Sequence, residues 1–143
     1  MDYIINQENK ELIQHFYTKT LIQYMNVLNV NPDNTFALCN IGSMFALVGD
    51  DYMTMCEEAD KYKSIYKIIG DAFYMDALLK YEKAIKINPK DYLSYFNIEI
   101  VYLLLEKYNE AINYYIKTLQ INPEYVPAKD QITKIEDYLN ASN

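Results

Sequence analysis

His15 is the single histidine of the sequence. Neither a histidine-based metal cluster nor a Ser-His-Asp relay can therefore be assembled from this chain. It follows Gln14 on an N-terminal helical pattern, where a surface or capping role suits it. Glu57, Glu58 and Asp60 are near enough in sequence to suggest a general acid and base. Such a pair needs a cleft that pushes the two carboxyl pKa values apart. Three acids side by side on one turn read instead as a solvated face. Met53, Met55 and Cys56 carry soft sulfur of the kind a copper(I) site uses. Met55 and Cys56 fall on an apolar stripe, however, and read as core. The glycines are Gly42, Gly49 and Gly70 alone, too few for either Gly-rich phosphate loop. Cys39 and Cys56 are too few for a disulfide framework and have no metal-ligand spacing around them. They read as two buried thiols in a reducing compartment. No catalytic residue, metal or cofactor is assigned, and the chain reads as a non-enzyme.

The elements that hold these residues follow from composition. The chain has 143 residues, 51% of them apolar, with 3 Gly and 4 Pro. That is one domain with enough apolar area for a core. Few turn formers and long stretches between them favour an all-α fold. Net charge is −7, and all 13 cationic residues are Lys. A nucleic-acid surface needs clustered cations and gains specificity from planar Arg forks, so nucleic acid is excluded as a partner. The charge is uneven. Residues 1–60 hold two Lys against nine acids, and residues 61–90 hold seven Lys against three. Residues 91–143 hold four Lys against eight. A basic middle between acidic ends either steers an acidic partner or is a solvated Lys-bearing face. The N-terminus shows no charged n-region followed by an apolar h-region, which points to a cytoplasmic protein. The longest apolar run, Ile100 to Leu105, is far short of a membrane span, so no membrane insertion is expected. Asn140-Ala141-Ser142 matches a glycosylation acceptor, which without a secretion signal carries no weight.

An internal repeat organises the chain. Asn31-Pro32, Asn88-Pro89 and Asn122-Pro123 recur, with the last two prolines 34 residues apart and the first two 57 apart. Thr20, Ala77 and Ala111 lie twelve residues before the three prolines, and Tyr24, Tyr81 and Tyr115 lie eight before. Val30, Ile87 and Ile121 lie two before, and Ile41, Ile98 and Ile132 nine after. A small residue and an aromatic four later share one helix face. The small one lets a neighbouring helix approach, the aromatic fills the space beside it, and Pro ends the helix. Each unit has an apolar face that it buries by stacking on the next.

This pattern resembles the tetratricopeptide repeat, written W-x2-L-G-x2-Y…A-x3-F…P over 34 residues. Leu38-Cys39-Asn40-Ile41-Gly42-Ser43-Met44-Phe45 resembles its first helix, with Leu in the Trp place, and Gly49-Asp50 its turn. Tyr95-Phe96-Asn97-Ile98-Glu99-Ile100-Val101-Tyr102 resembles it again, with Glu99 for Gly. Ala77, Tyr81, Ala84 and Pro89 match a second helix, and Ala111, Tyr115, Thr118 and Pro123 match with one change. The resemblance implies a solenoid of helical hairpins in a right-handed superhelix.

Two stretches depart from the pattern. The spacing of 57 adds 23 residues to one repeat, and Tyr52, Met55, Cys56, Ala59, Tyr62, Ile65, Tyr66 and Ile69 form a stripe at steps of three and four within them. This predicts an inserted helix at 51–69, broken from its neighbours at Gly49-Asp50 and Gly70-Asp71. The N-terminal pattern predicts a helix at 9–29 in place of a regular first repeat. Seven helices are expected: 9–29, 35–48, 51–69, 73–87, 91–105, 108–121 and 125–139. They make one domain over 1–143, with an N-terminal partial repeat at 9–34 and a repeat with the inserted helix at 35–90. A regular repeat at 91–124 and a capping helix at 125–139 complete it.

The family commonly binds peptides or helices in a concave groove lined by its first helices. The resemblance places Phe36, Asn40 and Ser43, beside Cys39, in that groove, with Leu93, Phe96, Asn97, Ile100 and Leu103 from the next repeat. Asn40 and Asn97 match a groove asparagine that bonds ligand backbone in many members. One branch grips the C-terminal carboxylate of heat-shock chaperones with cationic residues. Here those places hold Cys39, Ser43, Phe96 and Asn97, so no carboxylate clamp is expected. The function implied is a protein-protein interaction module, an adaptor or chaperone-like protein with a protein or peptide partner. The alternative is a structural subunit that self-associates, as a homo-oligomer, or is built into a larger complex. The sequence leaves open whether the groove is free or filled by the inserted or N-terminal helix.

Overall fold

The computed structural model describes residues 2–58, 60–129 and 131, and among them every regular element is helical. Helix α1 spans Asp2–Val30, α2 Thr35–Glu58, α3 Lys63–Ile87, α4 Tyr92–Leu104 and α5 Tyr108–Ile121. A 3-10 turn at Asp60–Tyr62 joins α2 to α3. Residues 126–129 and 131 are helical again, and the rest of the capping helix expected at 125–139, with Ile132, lies outside the described residues. Each helix packs chiefly on its neighbours in sequence, α2 against α3 most extensively, as a stacked solenoid requires.

The Asn-Pro anchors repeat as geometry as well as sequence. At each one the Asn amide closes the helix on the carbonyl four residues back: Asn31 on Val27, Asn88 on Ala84, Asn122 on Thr118. Its own carbonyl then accepts from the amide three residues on, at Asn34, Asp91 and Tyr125. The Asn31 and Asn88 side chains also accept from the amides of Asp33 and Lys90, each at 3.2 Å. Pro between them supplies no amide and cannot prolong the helix. The next helix is capped by the residue that turn delivers. Asn34 Oδ1 accepts from the Ala37 amide at 2.8 Å, and Asp91 Oδ1 from the Ser94 amide at 3.5 Å, with Oδ2 accepting from Ser94 Oγ at 2.7 Å.

The core is built on the small-then-aromatic pattern. Tyr74, Ala77, Leu78 and Tyr81 of α3 meet Ile98 and Val101 of α4 as one buried cluster. Ala77, Ala84 and Ala111 are fully buried where helices approach. Gly42 admits the Tyr81 ring, since a Cβ there would lie 2.7 Å from it.

The inserted residues do not form a separate helix at 51–69. The helices expected at 35–48 and 73–87 are instead each lengthened, to 24 and 25 residues. The stripe read as one helix is folded back on itself, and Tyr52 of α2 stacks on Phe73 of α3 with centroids 5.8 Å apart. Gly49 and Gly70 are neither turn nor break, for neither has positive φ. They sit inside the helices at a close crossing. A Cβ on Gly49 would meet the Tyr74 ring at 2.7 Å and the Gly70 carbonyl at 3.3 Å. A Cβ on Gly70 would meet the Gly49 carbonyl at 3.2 Å. The cost of glycine in a helix is about 1 kcal/mol, and backbone-to-backbone contact offsets it. Helix α1 likewise begins earlier than expected, because residues 2–8 contain no Gly or Pro to stop it.

A Schellman turn ends α4. The Glu106 amide bonds the Leu103 carbonyl and the Lys107 amide bonds Tyr102. Glu106 takes φ of 58° there, the left-handed conformation that glycine would hold more cheaply.

Candidate interaction groove

The residues assigned to the groove fall on α2, at steps of four and three, and on α4, at steps of three with Asn97 directly after Phe96, and divide into two sets. Phe36 and Leu93 each lie four residues after an anchor proline and are 70% and 43% exposed. The Phe36 and Tyr24 rings meet in a T-shaped pair, with centroids 6.1 Å apart. Asn40, Ile100 and Leu103 are half-buried, and the Asn40 side-chain amide donates to the Phe36 carbonyl of its own helix at 2.7 Å.

The other set is engaged within the fold. Phe96 is only 8% exposed, packed edge-on against Tyr125 at 5.0 Å. The stacking of the next unit covers it, so Phe96 is not an open groove wall. Ser43 Oγ lies 3.0 Å from the Tyr81 hydroxyl and donates to the Cys39 carbonyl at 3.1 Å. Asn97 Nδ2 donates to Cys39 Sγ at 3.3 Å and so ties α4 to α2. Burial pushes the Cys39 thiol up, away from reactive thiolate. Cys56 is buried as expected and donates to the Lys63 carbonyl at 3.4 Å across the 3-10 turn.

The remaining residues singled out for chemistry do not converge. His15 and Glu57 are exposed, one on α1 and the other near the end of α2. Among the described residues no three His, Cys, Asp or Glu side chains gather as metal ligands would. No described helix is long and apolar enough to cross a membrane.

No protein-family model matches the sequence. Over 64 residues the chain is 36% identical to Tetratricopeptide repeat protein 17 of Danio rerio, across 45% of this chain and 5% of the relative. Over 77 residues it is 32% identical to the Homo sapiens protein of the same name, across 53% of this chain and 7% of the relative. The solved structure of the first such domain of Spaghetti (RPAP3), bound to the HSP90 peptide SRMEEVD, superposes with a TM-score of 0.63. That match covers 94% of this chain and 89% of the other at 19% identity. The chain has the fold of a tetratricopeptide-type solenoid of helical hairpins. A tetratricopeptide repeat and J domain-containing co-chaperone, DNJ1 of Cryptococcus neoformans, is 30% identical over 69 residues, 48% of this chain and 13% of that protein. These tetratricopeptide relatives are far longer, and the chain spans only 5–7% of the first of them.

Two features of this domain escaped the sequence reading. One is the lengthened α2–α3 hairpin. The other is Glu99, which takes the place of the repeat glycine and is fully buried, with neither carboxyl oxygen hydrogen-bonded. Its position in the motif was visible, its isolation was not.

Proposed function

We propose that this chain is a non-catalytic interaction module of the cytoplasm, adaptor or chaperone-like, that binds a peptide or helix of a partner protein along α2 and α4. The observation that carries this reading is the pair Phe36 and Leu93. Equivalent in the repeat, on successive first helices, both leave a large apolar side chain in solvent. Exposed apolar patches of that kind mark interaction surfaces, and apolar anchors spaced along a groove suit an amphipathic helix. Relatives in co-chaperones and an HSP90-peptide complex agree with an interaction role.

Affinity capture from native lysate with mass spectrometry, comparing wild type with Phe36→Glu/Leu93→Glu, tests it. Both positions are exposed, so circular dichroism and melting should be unchanged. A partner captured by wild type and lost by the double variant supports the groove. Equal capture by both removes it.

A second reading rests on α3. Ile65, Ile68, Ala72, Met75 and Leu79 are all exposed at steps of three and four, on the side away from the buried Gly70, Ala77 and Ala84. A helix apolar on opposite faces usually has two neighbours. Self-association or a permanent place in a complex would supply the second. Light scattering over a concentration series tests this. A dimer that Ile68→Lys/Met75→Lys converts to monomer favours it, and a wild-type monomer throughout rejects self-association.

A further inference from the structure

We propose that the face of α1 along Phe16, Thr20 and Val27 is a second docking site, one that takes a helix of a partner protein with small residues seven apart. Phe16, Tyr17, Leu21 and Tyr24 have identical residues 57 positions on, at Phe73, Tyr74, Leu78 and Tyr81. Thr20 and Val27 answer to Ala77 and Ala84 at the same interval, which also separates Pro32 from Pro89. In sequence α1 is thus a second helix of the repeat, made as α3 is made. The two differ in what lies on them. On α3, Ala77 and Ala84 are fully buried, and Phe73 meets the Phe45 and Tyr52 rings of α2. On α1, Phe16 and Val27 are 57% and 40% exposed, and Thr20 is half-buried. Helix α1 packs chiefly on α2, as α3 packs on α4. Among the described residues no helix takes on α1 the place that α2 takes on α3.

The helix that α3 holds defines the occupant. The Tyr81 ring packs on Gly42 and the Tyr74 ring on Gly49, where an added Cβ would come within 2.7 Å of either. Ser43 Oγ lies 3.0 Å from the Tyr81 hydroxyl, and Asp50 accepts from the Tyr74 hydroxyl. Two glycines seven apart, each followed by a polar oxygen, therefore meet two tyrosines seven apart on an antiparallel neighbour. Tyr17 and Tyr24 repeat that pair of tyrosines on α1. A partner helix with Gly-Ser and Gly-Asp at the same spacing would seat its backbone against their rings and its polar groups beside their hydroxyls. Its aromatic side chains would cover Phe16, as Phe45 and Tyr52 cover Phe73. A large residue in either glycine place would overpack the contact.

The test uses the 15N-labelled chain and a synthetic peptide of residues 35–52, with Cys39→Ser and a C-terminal Lys-Lys tail for solubility, as the surrogate partner helix. It should bind with Kd on the order of 100 μM and shift the amides of Phe16, Thr20 and Val27. The same peptide with Gly42→Leu and Gly49→Leu should bind at least roughly tenfold more weakly. In the full chain, Phe16→Ser/Val27→Lys changes two exposed positions and should keep the helical circular dichroism while weakening the peptide roughly tenfold. Leu93→Glu, on α4, should leave its affinity unchanged, which separates this site from the groove. Absence of binding, equal binding of the two peptides, an unaffected Phe16→Ser/Val27→Lys, or shifts centred on Tyr74 and Tyr81 of α3 would each overturn the proposal. So would a dilution series in which the chain alone shifts the same α1 amides, since a second copy would then hold the face.

Discussion

Glu99 stands ten residues after Pro89, as Gly42 stands ten after Pro32. The same place in the repeat thus holds a bare backbone in one unit and a carboxyl in the next. Burial pushes that carboxyl up to about 8 from an ordinary 4.5. The folded chain therefore keeps a proton through pH 5 to 8 that the unfolded chain releases. Stability must fall as pH rises across that window, and below it the two states hold the same proton. Chemical denaturation should find the wild type less stable at pH 8.5 than at pH 5.5. Glu99→Gln should flatten that slope and be more stable at pH 8.5 by about 1 kcal/mol or more. A wild type equally stable at both values would mean that Glu99 ionises at no cost.

The α2–α3 hairpin is where the elements depart from an ordinary repeat. At 24 residues, α2 is about 36 Å long, nearly twice α4 with its 13. The crossing at Gly49 and Gly70 sets how closely the two long helices lie. Tyr74 is held there twice, by burial and by donating its hydroxyl to Asp50 Oδ1 at 2.5 Å. Its ring cannot give way to a Cβ on Gly49. Gly49→Ala should lower stability by about 1 kcal/mol, since overpacking of 1–3 kcal/mol outweighs the helix-propensity gain of about 1. Gly70→Ala meets the flexible end of Met53 at 3.0 Å as its nearest neighbour. It also meets the Gly49 carbonyl at 3.2 Å, so it should destabilise, but by less than Gly49→Ala. Thermal melts of the two variants side by side check this, and equal effects would place the tight contact elsewhere.

Across the whole molecule the net charge is −7, and the fold is shared with a structure bound to the HSP90 peptide SRMEEVD. The acidic peptide SRMEEVD needs cations in the groove. At the positions the resemblance would give to such a clamp this chain has Cys39, Ser43, Phe96 and Asn97, and three of these are spent on internal hydrogen bonds. Isothermal titration with that peptide should show no heat of binding at micromolar protein. Measurable affinity would place a cation beside the groove that the described residues do not supply.

The all-helical fold, the stacking order and most helix ends were legible in the sequence, because they are local. Asn-Pro makes its turn from its own side chain and its missing amide, so α5 and the starts of α2 and α4 lie within one residue of expectation. Small-then-aromatic spacing likewise located Ala77 and Tyr81 in the core. What escaped was decided by contacts distant in sequence. The bend at 60–62 has no Gly or Pro to mark it. Glu57 at the end of α2 and Lys63 at the start of α3 even oppose the helix dipoles. Only the antiparallel fit of Tyr52 on Phe73 and of Gly49 on Gly70 places that bend. A stripe of period 3.6 looks the same whether it runs straight or doubles back. The same limit hid the burial of Phe96, since its position on α4 is written in the repeat, but the ring that covers it arrives 29 residues later from Tyr125.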